Sequence, residues 1–233
     1  MILPEVCLQS IIADGKWWTP TADPKIVRGS LIQAFVPHID QVPYTLEPVG
    51  RNDPRNHATA VAKVTQLKVD APLKRTQLPV AAMVLHDNEV WAAYRAKRRP
   101  CIVLGCPGVA VDSELRKGKP NHSTAPTFIV APYFGVAMKE ARAGFLPEFV
   151  ERVQRCEYPQ FLWDHLPHTG GEPSLLRLDQ MQPIGAHHSA YKTLGFCLSD
   201  IALQVVDEHL SWLLYGGVPA DGQVATYRKA IAD

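Results

Sequence analysis

The chain is short of most features that mark a protein class, and each shortage excludes something. It has no charge excess: 24 Lys and Arg against 23 Asp and Glu leave a formal net charge of +1, so it does not coat nucleic acid or an anionic membrane by bulk charge. Affinity for a polyanion has to come from local clustering. Five cysteines (Cys7, Cys101, Cys106, Cys156, Cys197) form an odd set without a Cys-x-x-Cys pair, which argues for reduced thiols in the cytoplasm rather than a disulfide framework. The opening Met-Ile-Leu-Pro-Glu has no basic residue, and Asp14, Gly15 and Lys16 break the apolar run behind it; neither a signal peptide nor a membrane span is expected. There is no internal repeat, low-complexity tract, Walker loop or dinucleotide fingerprint. Cys156, His165, His168, His187 and His188 match no common zinc spacing, and Cys101 and Cys197 sit in apolar runs where a thiol is inert. No metal and no cofactor is expected.

What is present is a hydrophobic content of 46% over 233 residues, enough for one large domain or a domain with an extension, and 20 prolines. Proline interrupts helices and central strands, so the chain reads as short strands and loops. Strands are expected at Gly29–Val36, Ala60–Val69, Cys101–Gly105 and Thr127–Ala131, with Pro132 to Gly135 as the exit of the last. Leu78–Leu85 and Glu89–Tyr94, joined by turn residues, predict a hairpin. Arg95-Ala-Lys-Arg-Arg99 predicts a basic loop ahead of the Cys101 strand, either a solvated turn or part of an anion-binding groove. Helices are expected from Pro147 to Arg155, from Ser199 (N-cap) to the Gly216-Gly217 stop, and over Gln223–Ala232.

The richest stretch is Ser174–Gly185. Strand alternation sets Leu176, Leu178 and Met181 in apolar surroundings and projects Arg177 and Asp179 from the other face. A guanidinium beside a carboxylate is a structural bridge or an acid/base pair.

Four pieces in order resemble the MazF/PemK growth-inhibitor toxins of toxin–antitoxin systems. They are Glu89-Val-Trp91 followed by Arg99-Pro-Cys-Ile-Val-Leu104, then Phe128-Ile-Val-Ala-Pro132, then Leu176-Arg-Leu-Asp-Gln-Met-Gln-Pro-Ile184, and the helix capped by Ser199, together spanning about residues 78–217. The resemblance implies a β-rich α+β fold: an SH3-like small barrel over residues 76–233 with a C-terminal packing helix and an inserted helix near 147–156, plus an added β-containing N-terminal segment, residues 1–75, packed on it. It also implies a homodimer, a metal-independent endoribonuclease acting on single-stranded RNA, and an antitoxin or other protein partner. The chain departs from the pattern in two places. Only Ala92 to Arg98 separate Trp91 from Arg99, where active toxins carry a longer polar loop, and Tyr133 and Phe134 stand where MazF has a threonine.

Cleaving RNA without metal needs a base near the 2′-hydroxyl, an acid near the leaving oxygen and positive charge against the phosphate. Asp179 is the candidate base, and Arg177 and Arg99 the phosphate ligands; in the PemK branch the residue matching Arg177 is also proposed as the acid. Arg95, Lys97 and Arg98 are candidate substrate-binding cations, Tyr133 and Phe134 candidate stacking platforms, and His187 and His188 candidate proton shuttles or ordinary loop residues. The alternative function is an inactive module of the same fold that binds nucleic acid or a protein through its basic residues.

Overall fold

The computed structural model describes residues 7–11, 17–70, 80–86, 89–106, 114–118, 127–137 and 144–231. These residues form a β-rich α+β fold of mostly antiparallel strands with four helices. The chain divides into two compact units: residues 36–97 form the smaller, and the segments flanking them form the larger. The division therefore falls at Phe35/Val36 and Lys97/Arg98 rather than near residue 75, because the N-terminal strands belong to the larger unit's sheet.

That sheet contains β1 (Trp18–Pro20), β2 (Ser30–Pro37), β6 (Ala96–Gly105), β7 (Thr127–Gly135), β8 (Phe161–Leu166), β9 (Glu172–Arg177), β10 (Gln182–Gly185) and β11 (Tyr191–Leu198). Its order is β1-β11-β2-β6-β7-β9-β8, with β10 also paired to β7. The smaller unit has its own sheet of β3 (Tyr44–Gly50), β4 (Val61–Gln66) and β5 (Ala92–Ala93), in the order β4-β3-β5.

Two expectations change here. Residues 80–86 hold a single 3-10 turn, Ala81–Met83, and Glu89–Tyr94 contributes only β5, which pairs with Tyr44 and Thr45 of β3. Among the described residues of the predicted hairpin partner, 80–85, none is in a strand; its residues 78 and 79, and residues 87 and 88 around the turn, lie outside the described residues. The basic run is not a loop either, since β6 begins at Ala96 and carries Lys97, Arg98 and Arg99 within it. Charge made the segment look like solvent-facing turn, but a strand end tolerates charge wherever its side chains reach water.

β8 and β9 are apolar on both faces, as strands covered on two sides must be. Leu162, Leu166 and Leu176 face a core built with Ala202, Val205 and Val206 of α3 (Asp200–Tyr215) and Val224 and Tyr227 of α4 (Gln223–Ala230). Trp163 and Leu175 face the other way, against Val150 and Val153 of α2 (Pro147–Gln154). α1 (Leu8–Ile11) adds Leu8 to the first core. α3 obeys its sequence signals at both ends: the Ser199 side chain accepts from Ala202 N–H at 3.4 Å, and Gly216 takes the left-handed conformation at φ 82°. Among the described residues no helix is long and apolar enough to cross a membrane.

Candidate functional site

β7 is the strand on which the site is built. It does not exit at Pro132 but runs on to Gly135, so Tyr133 and Phe134 are consecutive strand residues with opposite faces. Tyr133 enters the α3-side core at 2% exposure and its hydroxyl donates to Asp164 at 2.8 Å. It offers no ring to a ligand, contrary to the stacking role expected of it. Phe134 turns the other way and is half-buried.

The edge of β7 carries β9 and then β10, one strand interrupted in the middle. Leu176 pairs with Tyr133 and Gln182 with Val130, so six residues of advance on one side match three on the other. The surplus is folded into a 3-10 turn, Leu178–Gln180, opposite Ala131 and Pro132. Leu178 is fully buried and anchors the turn, its N–H donating to Gln160 O at 2.9 Å. The uninterrupted alternation expected for Ser174–Gly185 is thus replaced by a bulge. Arg177 and Asp179 still meet: Arg177 Nε donates to Asp179 Oδ1 at 2.7 Å and Nη2 to Oδ2 at 2.5 Å. The two side chains are 20% and 28% exposed.

Arg177 is the cross-strand partner of Phe161 and lies two residues beyond Leu175, the partner of Phe134. Its guanidinium carbon is 5.0 Å from the Phe161 ring centroid and 5.2 Å from that of Phe134. Arg99 reaches the same Phe134 ring from β6, at 3.7 Å. Ile102 and Leu104 of β6 join the α3-side core, so alternation sends Arg99 to the Phe134 face. Arg99, Phe134, Arg177 and Asp179 are therefore one cluster. Phe161 continues into an aromatic group with Phe149 and Tyr158, at centroid distances of 5.2 and 6.0 Å.

No family model and no curated protein matches this chain.

The other expected residues lie elsewhere. Arg98 and Arg99 are adjacent in β6 and leave it on opposite faces. Arg98 is exposed; Arg95 and Lys97 are exposed residues of the smaller unit. His187 and His188 occupy the exposed turn after β10. Because Gly185 pairs with Thr127, they follow the far end of β7, seven residues from Phe134, or about 23 Å at roughly 3.3 Å per residue. They do not serve the arginine–aspartate pair as shuttles.

Two features escaped the sequence reading. Phe161, not among the expected site residues, forms the second aromatic wall under Arg177. Asp164 is fully buried and accepts from Trp18 Nε1 at 3.0 Å as well as from Tyr133. Burial pushes its carboxyl up to about 6, with those two donors pulling the other way. Its neighbours are core side chains, so it is a structural group. Nothing in Phe-Leu-Trp-Asp-His-Leu hints at donors 31 and 146 residues away.

Proposed function

We propose that the chain is a divergent MazF/PemK-like protein that binds single-stranded RNA, gripping a phosphodiester between Arg99 and Arg177 where both are seated on Phe134. The observation that carries this reading is the shared ring: guanidinium carbons at 3.7 and 5.2 Å from one Phe134 centroid. Stacking on an aromatic face holds a guanidinium in place, which lowers the entropy cost of binding an anion. The ordered sequence pieces found in β6, β7, β9–β10 and α3 support the family reading and, through it, an SH3-like barrel. The same resemblance supplies a second copy of the chain and an antitoxin-like protein as partners.

Cleavage is the second reading, favoured by one observation. Asp179 is 28% exposed and each of its oxygens takes a single hydrogen bond from Arg177, so a lone pair remains for a 2′-hydroxyl. The threonine of MazF has no equivalent on this face, since Tyr133 is in the core and Phe134 has no hydroxyl. Binding therefore leads. Incubating the protein with a long unstructured RNA in EDTA, alongside Arg177→Ala and Asp179→Asn, separates the readings. Salt-sensitive binding of intact RNA that is weakened in Arg177→Ala is the expected result. RNA cut by wild type and spared by Asp179→Asn would promote the nuclease, and absence of both binding and cutting would sink the proposal.

A further inference from the structure

We propose that a cleft in the smaller unit is a binding site for a single nucleotide, with Arg95 taking the phosphate and Tyr44 and Tyr94 flanking the base. The cleft has a volume of about 240 Å³ and is lined by His38, Gln41, Tyr44, Gln66, Tyr94 and Arg95, with Val42 as its aliphatic contact. It lies wholly within residues 36–97 and shares no residue with the Phe134 cluster.

The side chains specify the ligand. The two phenol rings, each 43% exposed, are flat apolar faces that a base can cover, and stacking on an aromatic ring accepts any base. Gln41 and Gln66 bring carboxamides, each both donor and acceptor, which match the mixed edges of a nucleobase. Arg95 supplies a permanent cation with a forked set of donors, and His38 adds a second nitrogen heterocycle. Among the described residues no carboxylate lines the cleft. Its volume is below the roughly 300–1,000 Å³ of sites for drug-sized ligands, which limits it to one base with its phosphate rather than a stacked run of bases.

The walls are fixed before any ligand arrives. His38 N–H donates to Arg95 O at 2.8 Å, joining the two segments that carry the imidazole and the guanidinium. Gln41 N–H donates to His38 O at 3.2 Å and closes the turn between them. Tyr44 is paired on both sides, with Gln66 of β4 and Ala93 of β5, the residue before Tyr94. The backbone under the lining is thus held by hydrogen bonds, and binding has only side chains to order.

The site stands apart from the RNA reading, and the test keeps them separate. Adenosine 5′-monophosphate, uridine 5′-monophosphate, adenosine and inorganic phosphate are titrated calorimetrically into the full chain and into Arg95→Ala, Tyr94→Ala and Arg177→Ala. At least one of the two monophosphates is expected to bind with a stoichiometry of one, more tightly than inorganic phosphate. Arg95→Ala should weaken it by about tenfold or more while leaving adenosine unchanged, because a charge-assisted contact is lost and the base contacts are kept. Tyr94→Ala should weaken nucleotide and nucleoside alike, and Arg177→Ala neither. A single-stranded oligonucleotide without terminal phosphates identifies the source: competition by it means a nucleotide within RNA, and its failure to compete means a free nucleotide. The proposal is overturned if neither monophosphate outbinds inorganic phosphate, or if binding survives Arg95→Ala and is lost in Arg177→Ala.

Discussion

Arg177 holds Asp179 in a fork, Nε to Oδ1 at 2.7 Å and Nη2 to Oδ2 at 2.5 Å, across a bulge rather than along a regular strand. The pair is partly exposed, so the carboxylate competes with any incoming anion for the guanidinium. Asp179→Asn is expected to tighten RNA binding by about two- to fivefold, the scale of one exposed ion pair released. Filter binding at fixed salt measures it. Weaker binding by the variant would mean that Asp179 positions Arg177 more than it occupies it.

Phe134 is predicted to matter through the two cations it carries. Phe134→Leu keeps the apolar volume but removes both cation–π contacts, each worth roughly 0.5–1 kcal/mol at exposed sites. Urea unfolding should show a loss of about 1–2 kcal/mol, and RNA affinity should fall with it. If affinity is unchanged while stability drops, the ring is a packing residue and the arginines need no platform.

Glu208 and Gly222 form a second relationship that the fold depends on. Glu208 of α3 is buried, and its oxygens accept from Gln223 N–H at 2.9 Å and Val224 N–H at 2.8 Å, capping α4 from another helix. A Cβ at Gly222 would lie 2.6 Å from the carboxylate, so only glycine lets the two approach. Gly222→Ala and Glu208→Ala should each cost about 1–3 kcal/mol, the penalty of stranding buried N–H groups. The double variant should cost much less than their sum, which a double-mutant cycle in urea reads. Additive losses would show that the cap and the glycine act independently.

Asp164 and His209 are expected to tilt stability in opposite directions with pH. Burial raises Asp164 from 3.8 to about 6, so its contribution is present below pH 3.8 and is lost as pH rises through about 6. Burial lowers His209 from 6.5 to about 4, the Pro159 backbone offsetting part of this, so its contribution is present above pH 6.5 and is lost as pH falls through about 4. Each swing is on the order of 3 kcal/mol, and between them the two slopes largely offset in wild type. Asp164→Asn should leave a protein whose stability climbs from pH 4 to 6.5, and His209→Leu one whose stability falls over the same window. Urea titrations across that range decide it, and parallel slopes in the two variants would refute the assignment.

α3 announced itself because Ser199, its apolar spacing and Gly216 are all local signals, set by the conformation each residue prefers. The meeting of Arg177 and Asp179 was also legible, although by a different geometry: two residues apart, the side chains converge through a 3-10 turn as readily as along a strand. The strand expected to end at Ala131 runs on to Gly135 because Pro132 and the residues after it stay in extended register with β6 and β9, which proline's local reputation as a strand end does not reveal. The Asp164 network and the Phe161 wall were invisible for a plainer reason. Their partners are joined only by strand order, and a β8-β9-β7 arrangement is not written in any one segment.

The central claim, a phosphodiester held by Arg99 and Arg177 on Phe134, is tested most directly by the salt dependence of RNA binding. The slope of log affinity against log salt is measured for wild type and for Arg177→Ala, after urea unfolding confirms that the variant is folded. Losing one phosphate contact on a single strand should make the slope shallower by about 0.7 and weaken binding at every salt concentration. Identical slopes for the two proteins, or binding in wild type that ignores salt, would contradict the account.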